Sequence, residues 1–180
     1  MSDPDWSLLS LARAGYRNAW QSLVDKHYQR LVNLAFLITG SRDTACDIAQ
    51  ETFLRVIECH PKHELGTLSG YLSTIAFHSA LKNKDRQRRE SSLENVANTL
   101  DSGFTPWEHV VADEQVMMAT RAIAGLDSDE RNVLVLRFYG DLSYEEIATQ
   151  LVVPIGTVKS RLFRAVGKCR EYFVKMGVTP

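Results

Sequence analysis

Ser143-Tyr144-Glu145-Glu146-Ile147-Ala148-Thr149-Gln150-Leu151-Val152-Val153-Pro154-Ile155-Gly156-Thr157-Val158-Lys159-Ser160-Arg161-Leu162-Phe163-Arg164 encodes a short capped helix, a corner and a longer helix. Ser143 with Glu146 three residues on can satisfy free amides of a first helical turn reciprocally. Ile147, Ala148 and Leu151 supply an apolar stripe, and small Ala148 permits close helix approach. Leu151 to Pro154 has the length of a helix-turn-helix corner. Pro154 can open the second helix because the amide it lacks would be unsatisfied there anyway. Along that helix Val158, Leu162, Ala165, Val166 and Cys169 are expected on one side, and Thr157, Ser160, Arg161, Arg164 and Lys168 on the other. Arg bonds guanine edges bidentately while Ser, Thr and Lys hold phosphates, so this second face suits a DNA major groove. At the corner, a left-handed conformation would strain a β-branched Val152 or Val153.

Working outward, helical periodicity runs from Val110 to Met176, interrupted at Leu126-Asp127, Gly140-Asp141-Leu142 and the corner, which predicts four helices. Ser7 to Arg89 is also helical, with breaks at Gly40-Ser41 and between His60 and Gly70, and again four helices fit. Between these halves lies a stretch of Ser, Asn, Asp, Gly, Thr and Pro. The expected fold is all-α: an N-terminal helical bundle over residues 1–90, a flexible acidic linker over 91–112, and a C-terminal four-helix domain with the helix-turn-helix over 113–180. The halves differ in spacing and in where their basic residues fall, so no internal repeat is evident.

At 180 residues with 44% hydrophobic and 24% charged, the composition excludes a disordered chain and a repeat fibre. The longest apolar run, Leu34 to Ile38, falls far short of the roughly 20 residues a membrane-crossing helix needs, so no membrane insertion is expected. Met1 to Asp5 is acidic where a signal peptide would be basic, and a cytoplasmic location follows as the expectation. Cys46, Cys59 and Cys169 are odd in number and widely spaced, which argues against a disulfide framework or a zinc knuckle.

The net charge of −1 hides strong local fields. Residues 82–90 carry five cations against two acids, and residues 155–175 carry six against Glu171 alone. Residues 91–114 hold five acids and no Lys or Arg. Two basic helical blocks thus flank an acidic spacer, a pattern suited to a chain that handles nucleic acid at two places. Cys59, His60 and His63 could offer three metal ligands, yet no fourth is near, and Pro61 with Gly66 marks a polar loop. No Walker loop, nucleophile elbow, His-Glu-x-x-His or dinucleotide glycine turn is present. No catalytic residue, metal or cofactor is expected, and the chain is not read as an enzyme.

Leu126 to Leu134, Leu142 to Ala148 and Gly156 to Leu162 together resemble a sigma factor of the sigma-70 family, in particular the extracytoplasmic-function group. The resemblance implies that the second helix of the motif reads the minus-thirty-five promoter element through Thr157, Lys159, Ser160, Arg161, Phe163, Arg164 and Lys168. Asp43 to Val56 is similar to the family's stretch that grips the coiled coil of the large polymerase subunit, which assigns Asp47, Gln50, Glu51, Leu54 and Arg55 to core RNA polymerase. Periodicity independently places Asp47, Gln50, Glu51, Leu54 and Glu58 on one helix face, with Ala45, Ile48, Thr52 and Val56 facing inward.

Gly70 to Arg86 resembles the helices that melt and hold the minus-ten element, implying roles for Tyr71, His78, Ser79, Lys82, Asn83, Lys84 and Arg86. Tyr71 and His78 stand where the family usually has tryptophan and asparagine, so base preference is not inherited. By the same resemblance, His60 to Gly70 helps cup a flipped base, and the implied partners are core polymerase, promoter DNA and an anti-sigma factor. The alternative function is a helix-turn-helix regulator that needs no polymerase core; it leaves the N-terminal half unexplained. A metal enzyme built on Cys59, His60 and His63, or a sigma-like decoy that only binds partners, are further alternatives.

Overall fold

A computed structural model of the chain describes residues 3–59, 66–94 and 114–178. Among them run eight helices: α1 (Pro4–Arg13), α2 (Arg17–Thr39), α3 (Arg42–Glu58), α4 (Leu68–Glu94), α5 (Glu114–Ala124), α6 (Ser128–Phe138), α7 (Tyr144–Leu151) and α8 (Ile155–Lys175). The described residues contain no strand. Most of the expected linker lies outside the described residues, as do His60, His63 and His109. Among the described residues no group of three metal-ligating side chains assembles, and no helix is long and apolar enough to cross a membrane.

Local chemistry sets the helix boundaries. α2 stops at Gly40, whose φ of 73° is left-handed, and Ser41 caps α3 by accepting the Thr44 amide. α4 begins at Leu68 and runs to Glu94, past the expected boundary at residue 90. No Gly or Pro stands between Tyr71 and Glu94, so nothing in the chain stops the helix earlier.

The N-terminal core packs Leu31, Leu34 and Ala35 of α2 against Ala45, Ala49 and Phe53 of α3 and Leu72, Ala76 and Phe77 of α4. The buried alanines let the three helices approach closely. α1 ties down both ends of the α3–α4 connection. Arg13 donates to the carbonyls of Val56 and Cys59, while the Trp6 indole donates to the Gly66 carbonyl at 3.0 Å and the Asp3 carboxylate accepts the Leu68 amide at 2.8 Å.

In the C-terminal half the capping box forms as read: Ser143 Oγ accepts the Glu146 amide at 3.1 Å and Glu146 accepts the Ser143 amide at 2.7 Å. Val152 ends α7 at φ 54°, ψ 48°, the left-handed position foreseen for the corner. Val133, Leu136, Ile147, Val158, Leu162 and Ala165 close the core of this half. Arg131 donates to the carbonyls of Ile123, Ala124 and Leu126, holding the end of α5 on α6. The two halves touch, and their apolar residues form one continuous cluster.

Candidate nucleic-acid and polymerase interface

α8 docks on α6 with Val158, Leu162 and Ala165 buried, as periodicity requires. Two expectations for this helix need correction. Val166, expected inward, is exposed, because one step beyond Ala165 carries it to the rim of the apolar stripe. Arg164 and Lys168 are exposed as expected, although they also reach acids of α6, whereas Arg161, expected on the open face, lies on the flank toward that helix, whose first turn presents Asp129 and Glu130 next to its cap, Asp127. Arg161 pairs with Asp129 and is only 20% exposed. Lys168 reaches Glu130 at 2.6 Å and Asp127 at 3.3 Å, and Arg164 lies 3.9 Å from Glu130, whose side chain is 4% exposed. The Glu130 backbone amide, followed by Lys168, holds the Asp127 carboxyl below its ordinary range, while Glu130 and Asp127 push the Lys168 ammonium up.

The outward surface of α8 also carries Lys159, Ser160, Phe163, Gly167 and Arg170. Phe163 is 82% exposed, an apolar side chain in a position to meet a thymine methyl if the helix enters a groove. Thr157 is half-buried, its carbonyl accepting Ser160 Oγ at 3.0 Å. Lys159 and Arg137 both lie over the Tyr144 ring, 5.9 and 5.2 Å from its centroid, so the ring supports the base of α8 from α7.

α3 shows the face expected of it. Asp47, Gln50, Glu51, Leu54, Arg55 and Glu58 are exposed and Ala45, Ile48, Thr52 and Val56 buried. Leu54 is 62% exposed within a rim of hydrogen-bond acceptors. Arg55 bonds Glu51 at 2.6 Å and also reaches Ser79 Oγ at 3.4 Å. The expected polymerase set and the expected minus-ten set therefore meet at the α3–α4 seam.

On α4, helical geometry of about 100° per residue places Tyr71, His78, Ser79, Lys82 and Arg86 within one face. Lys84 falls about 220° around from Tyr71 and does not join them. Asn83 stands at the edge, its Oδ1 buried without a hydrogen-bond partner. The Tyr71 ring lies 5.9 Å from that of Trp6, tilted 43° to it, and burial pushes its hydroxyl pKa up. Sequence reasoning did not find the acids of α6 as partners of α8; the only available signal was their charge, three acids in the four residues Asp127 to Glu130.

Two family models match the chain. The one described as "Sigma-70 region 2" covers residues 23–90, and the one described as "Sigma-70, region 4" covers 117–169. Among curated relatives, the ECF RNA polymerase sigma factor SigL of Mycobacterium tuberculosis is 32% identical over 179 residues, 95% of this chain and 98% of the relative. The RNA polymerase sigma-H factor of Pseudomonas aeruginosa is 31% identical, with 91% and 90% covered. The ECF RNA polymerase sigma factor SigE of Mycolicibacterium smegmatis is 32% identical over 161 residues, and the match spans 62% of that protein. A similar fold is found in the structure of CnrH in complex with the cytosolic domain of CnrY, with TM-score 0.62, 22% identity, and 93% and 95% of the two chains covered. The sigma factor RpoE in complex with the anti-sigma factor NepR, from Bartonella quintana, gives TM-score 0.59 at 22% identity, with 86% and 96% covered.

Proposed function

The chain belongs to the sigma-70 family, among its extracytoplasmic-function sigma factors, and we propose that its α3 face grips core RNA polymerase, its α4 face holds melted promoter strand and its α8 enters duplex DNA. The observation that carries this reading is the presence of region 2 and region 4 on one chain. Its function is to direct polymerase to promoters and start transcription there.

The first domain, for polymerase and the minus-ten element, ends with α4 at Glu94 rather than at residue 90, the linker follows it to residue 112, and 113–180 serves the minus-thirty-five element. On α3, Asp47, Gln50 and Glu51 accept from arginines of a partner helix around Leu54 as apolar anchor, with Arg55 alongside. On α4, Lys82 and Arg86 neutralise strand phosphates while Tyr71 and His78 offer ring faces to unstacked bases. On α8, Lys159, Ser160 and Phe163 face outward, and Arg161, Arg164 and Lys168 reach DNA by exchanging carboxylates for phosphates. The work is recognition and positioning; bond formation belongs to the polymerase. The partners are core polymerase, promoter DNA and an anti-sigma factor that covers the α3 face, and the place of action is the cytoplasm, where polymerase and DNA are.

Run-off transcription with purified bacterial core polymerase tests this. Adding the protein is expected to create a promoter-specific start, and Leu54→Asp to abolish it together with core binding in gel filtration. A chain that neither binds core nor redirects it is not a working sigma factor.

A further inference from the structure

α1 packs on α2 and reaches from there to the connection between α3 and α4. Its footing is fixed by burial: Trp6 and Leu9 are buried, and the buried Asp5 carboxylate accepts from Lys26 Nζ at 2.7 Å and lies 2.9 Å from His27 Nε2. Three side chains then go to backbone atoms at the two ends of the connection. At the near end, one guanidinium nitrogen of Arg13 donates to the carbonyls of Val56 and Cys59, in the last turn and at the cap of α3. Carbonyls at a helix C-terminus lack intrahelical donors and carry the negative end of the dipole, so a cation supplied from α1 suits them. At the far end, the Trp6 indole donates to the Gly66 carbonyl at 3.0 Å. The Asp3 carboxylate joins two helix starts, accepting the Asp5 amide of α1 at 3.1 Å on one oxygen and the Leu68 amide of α4 at 2.8 Å on the other.

Tyr71 stands in the first turn of α4, its amide donating to the Thr67 carbonyl at 3.0 Å, and its half-buried ring lies 5.9 Å from that of Trp6. The side chain that ties α1 to Gly66 therefore also backs the ring offered to an unstacked base. We propose that α1 is a positioning element for base capture: Arg13, Trp6 and Asp3 fix the two ends of the α3–α4 connection and Trp6 backs Tyr71, so that α1 sets how strictly the chain discriminates among bases of the melted strand. This rests on the sigma-factor reading and on the place of Tyr71 in it.

Burial of Trp6 and Leu9 with the Asp5 pairing is enough to hold α1 on α2. Polar ties aimed at backbone on both flanks of a single connection do something further: they fix where that connection starts and where it ends. Base discrimination needs such support, because a recognising group has to be held to within about 0.5 Å by the residues behind it. Phosphate attraction by Lys82 and Arg86 does not, since Coulomb energy changes slowly with distance. Loosening α1 is therefore expected to cost selectivity among bases while leaving affinity for the strand largely in place.

The test uses the full chain bound to core polymerase. A template pool randomised across the promoter, transcribed by the wild-type complex and sequenced, gives the base preference at each position of the minus-ten and minus-thirty-five elements. Arg13→Met keeps most of the aliphatic stem and removes the donors. It should cut the strongest minus-ten preference about three- to tenfold, the weight of one hydrogen bond, with minus-thirty-five preferences and core binding in gel filtration as in the wild type. Trp6→Phe keeps an aromatic ring in the core and removes only the donor to Gly66; it should act in the same direction, so the outcome does not depend on one variant folding. Arg13→Lys retains a cation for the two carbonyls and should keep most of the preference. Unchanged minus-ten preference in Arg13→Met and Trp6→Phe proteins that circular dichroism shows to be folded overturns the positioning role. So does an equal loss at both elements, which general loosening of the fold would produce. A Tyr71→Ala protein with its minus-ten preference intact removes Tyr71 from base capture and the role of α1 with it. A wild-type complex that selects no promoter from the pool overturns the sigma reading instead, so the failures are separable.

Discussion

Val152 is held left-handed at φ 54° although its side chain is β-branched and 89% exposed. The conformation costs about 1–2 kcal/mol for an L-residue, and no packing is gained in return. Val152→Gly is therefore expected to raise stability by about 1 kcal/mol after the extra chain entropy of glycine is charged against it. A thermal melt should show a midpoint roughly 2–4 °C higher, and an unchanged or lower midpoint would mean that the valine contributes something its exposure hides. His27 is a buried counterpart. Burial pushes its imidazole pKa below the ordinary 6.5, against the pull of the Asp5 carboxylate 2.9 Å away. The unfolded chain then takes up a proton that the native state refuses, so stability should be greatest above about pH 6.5 and decline as pH falls below it, until the lowered native pKa is reached. Urea midpoints measured from about pH 7.5 down to 5.5 should fall, and His27→Gln should flatten that slope. The strained corner was legible in sequence because the helix-turn-helix spacing marks the position. The His27 pair was not, since Asp5 lies 22 residues upstream and belongs to no periodic pattern.

At the level of helices, boundaries and buried faces were readable because caps and apolar spacing act within one turn. Ser41, Asp127 and Ser143 all accept the amides their positions require. What could not be read was which flank of α8 meets α6. Arg161 and Asp129 are 32 residues apart, and Lys168 and Asp127 are 41 apart, so nothing local couples them. Under the proposed function their pairing creates a competition: an Arg161 that binds DNA must first leave Asp129. The pair is largely solvated on the aspartate side, where such contacts are worth about 0.2–1 kcal/mol. Asp129→Asn should accordingly strengthen promoter binding by the polymerase–sigma complex about two- to fivefold, read as the half-saturating concentration in filter binding. Weaker binding would instead assign Asp129 the task of aiming Arg161.

Across the whole molecule, a net charge of −1 conceals two cationic helical blocks, whose DNA targets differ in form under the proposed function. The division into halves and the sign of each surface came through in the sequence because they are sums over many residues. The seam between the halves depends on a few side chains from α2, α4 and α7, with His78 and Gln150 72 residues apart, and no pattern along the chain encodes it. The difference in DNA form supplies a test that separates the surfaces. Neutralising a duplex contact lowers the log–log salt slope of binding by about 0.9, and neutralising a single-strand contact by about 0.7. On polymerase, Lys159→Ala should weaken the initial duplex complex and lower its slope by about 0.9 while leaving strand opening in the complexes that form intact. Arg86→Ala should leave initial binding nearly unchanged yet reduce permanganate reactivity of thymines in the melted region, and lower the slope for opening by about 0.7. If both variants shifted the same step, the two helices would not be reading separate parts of the promoter, and the assignment of α4 to single strand and α8 to duplex would fail.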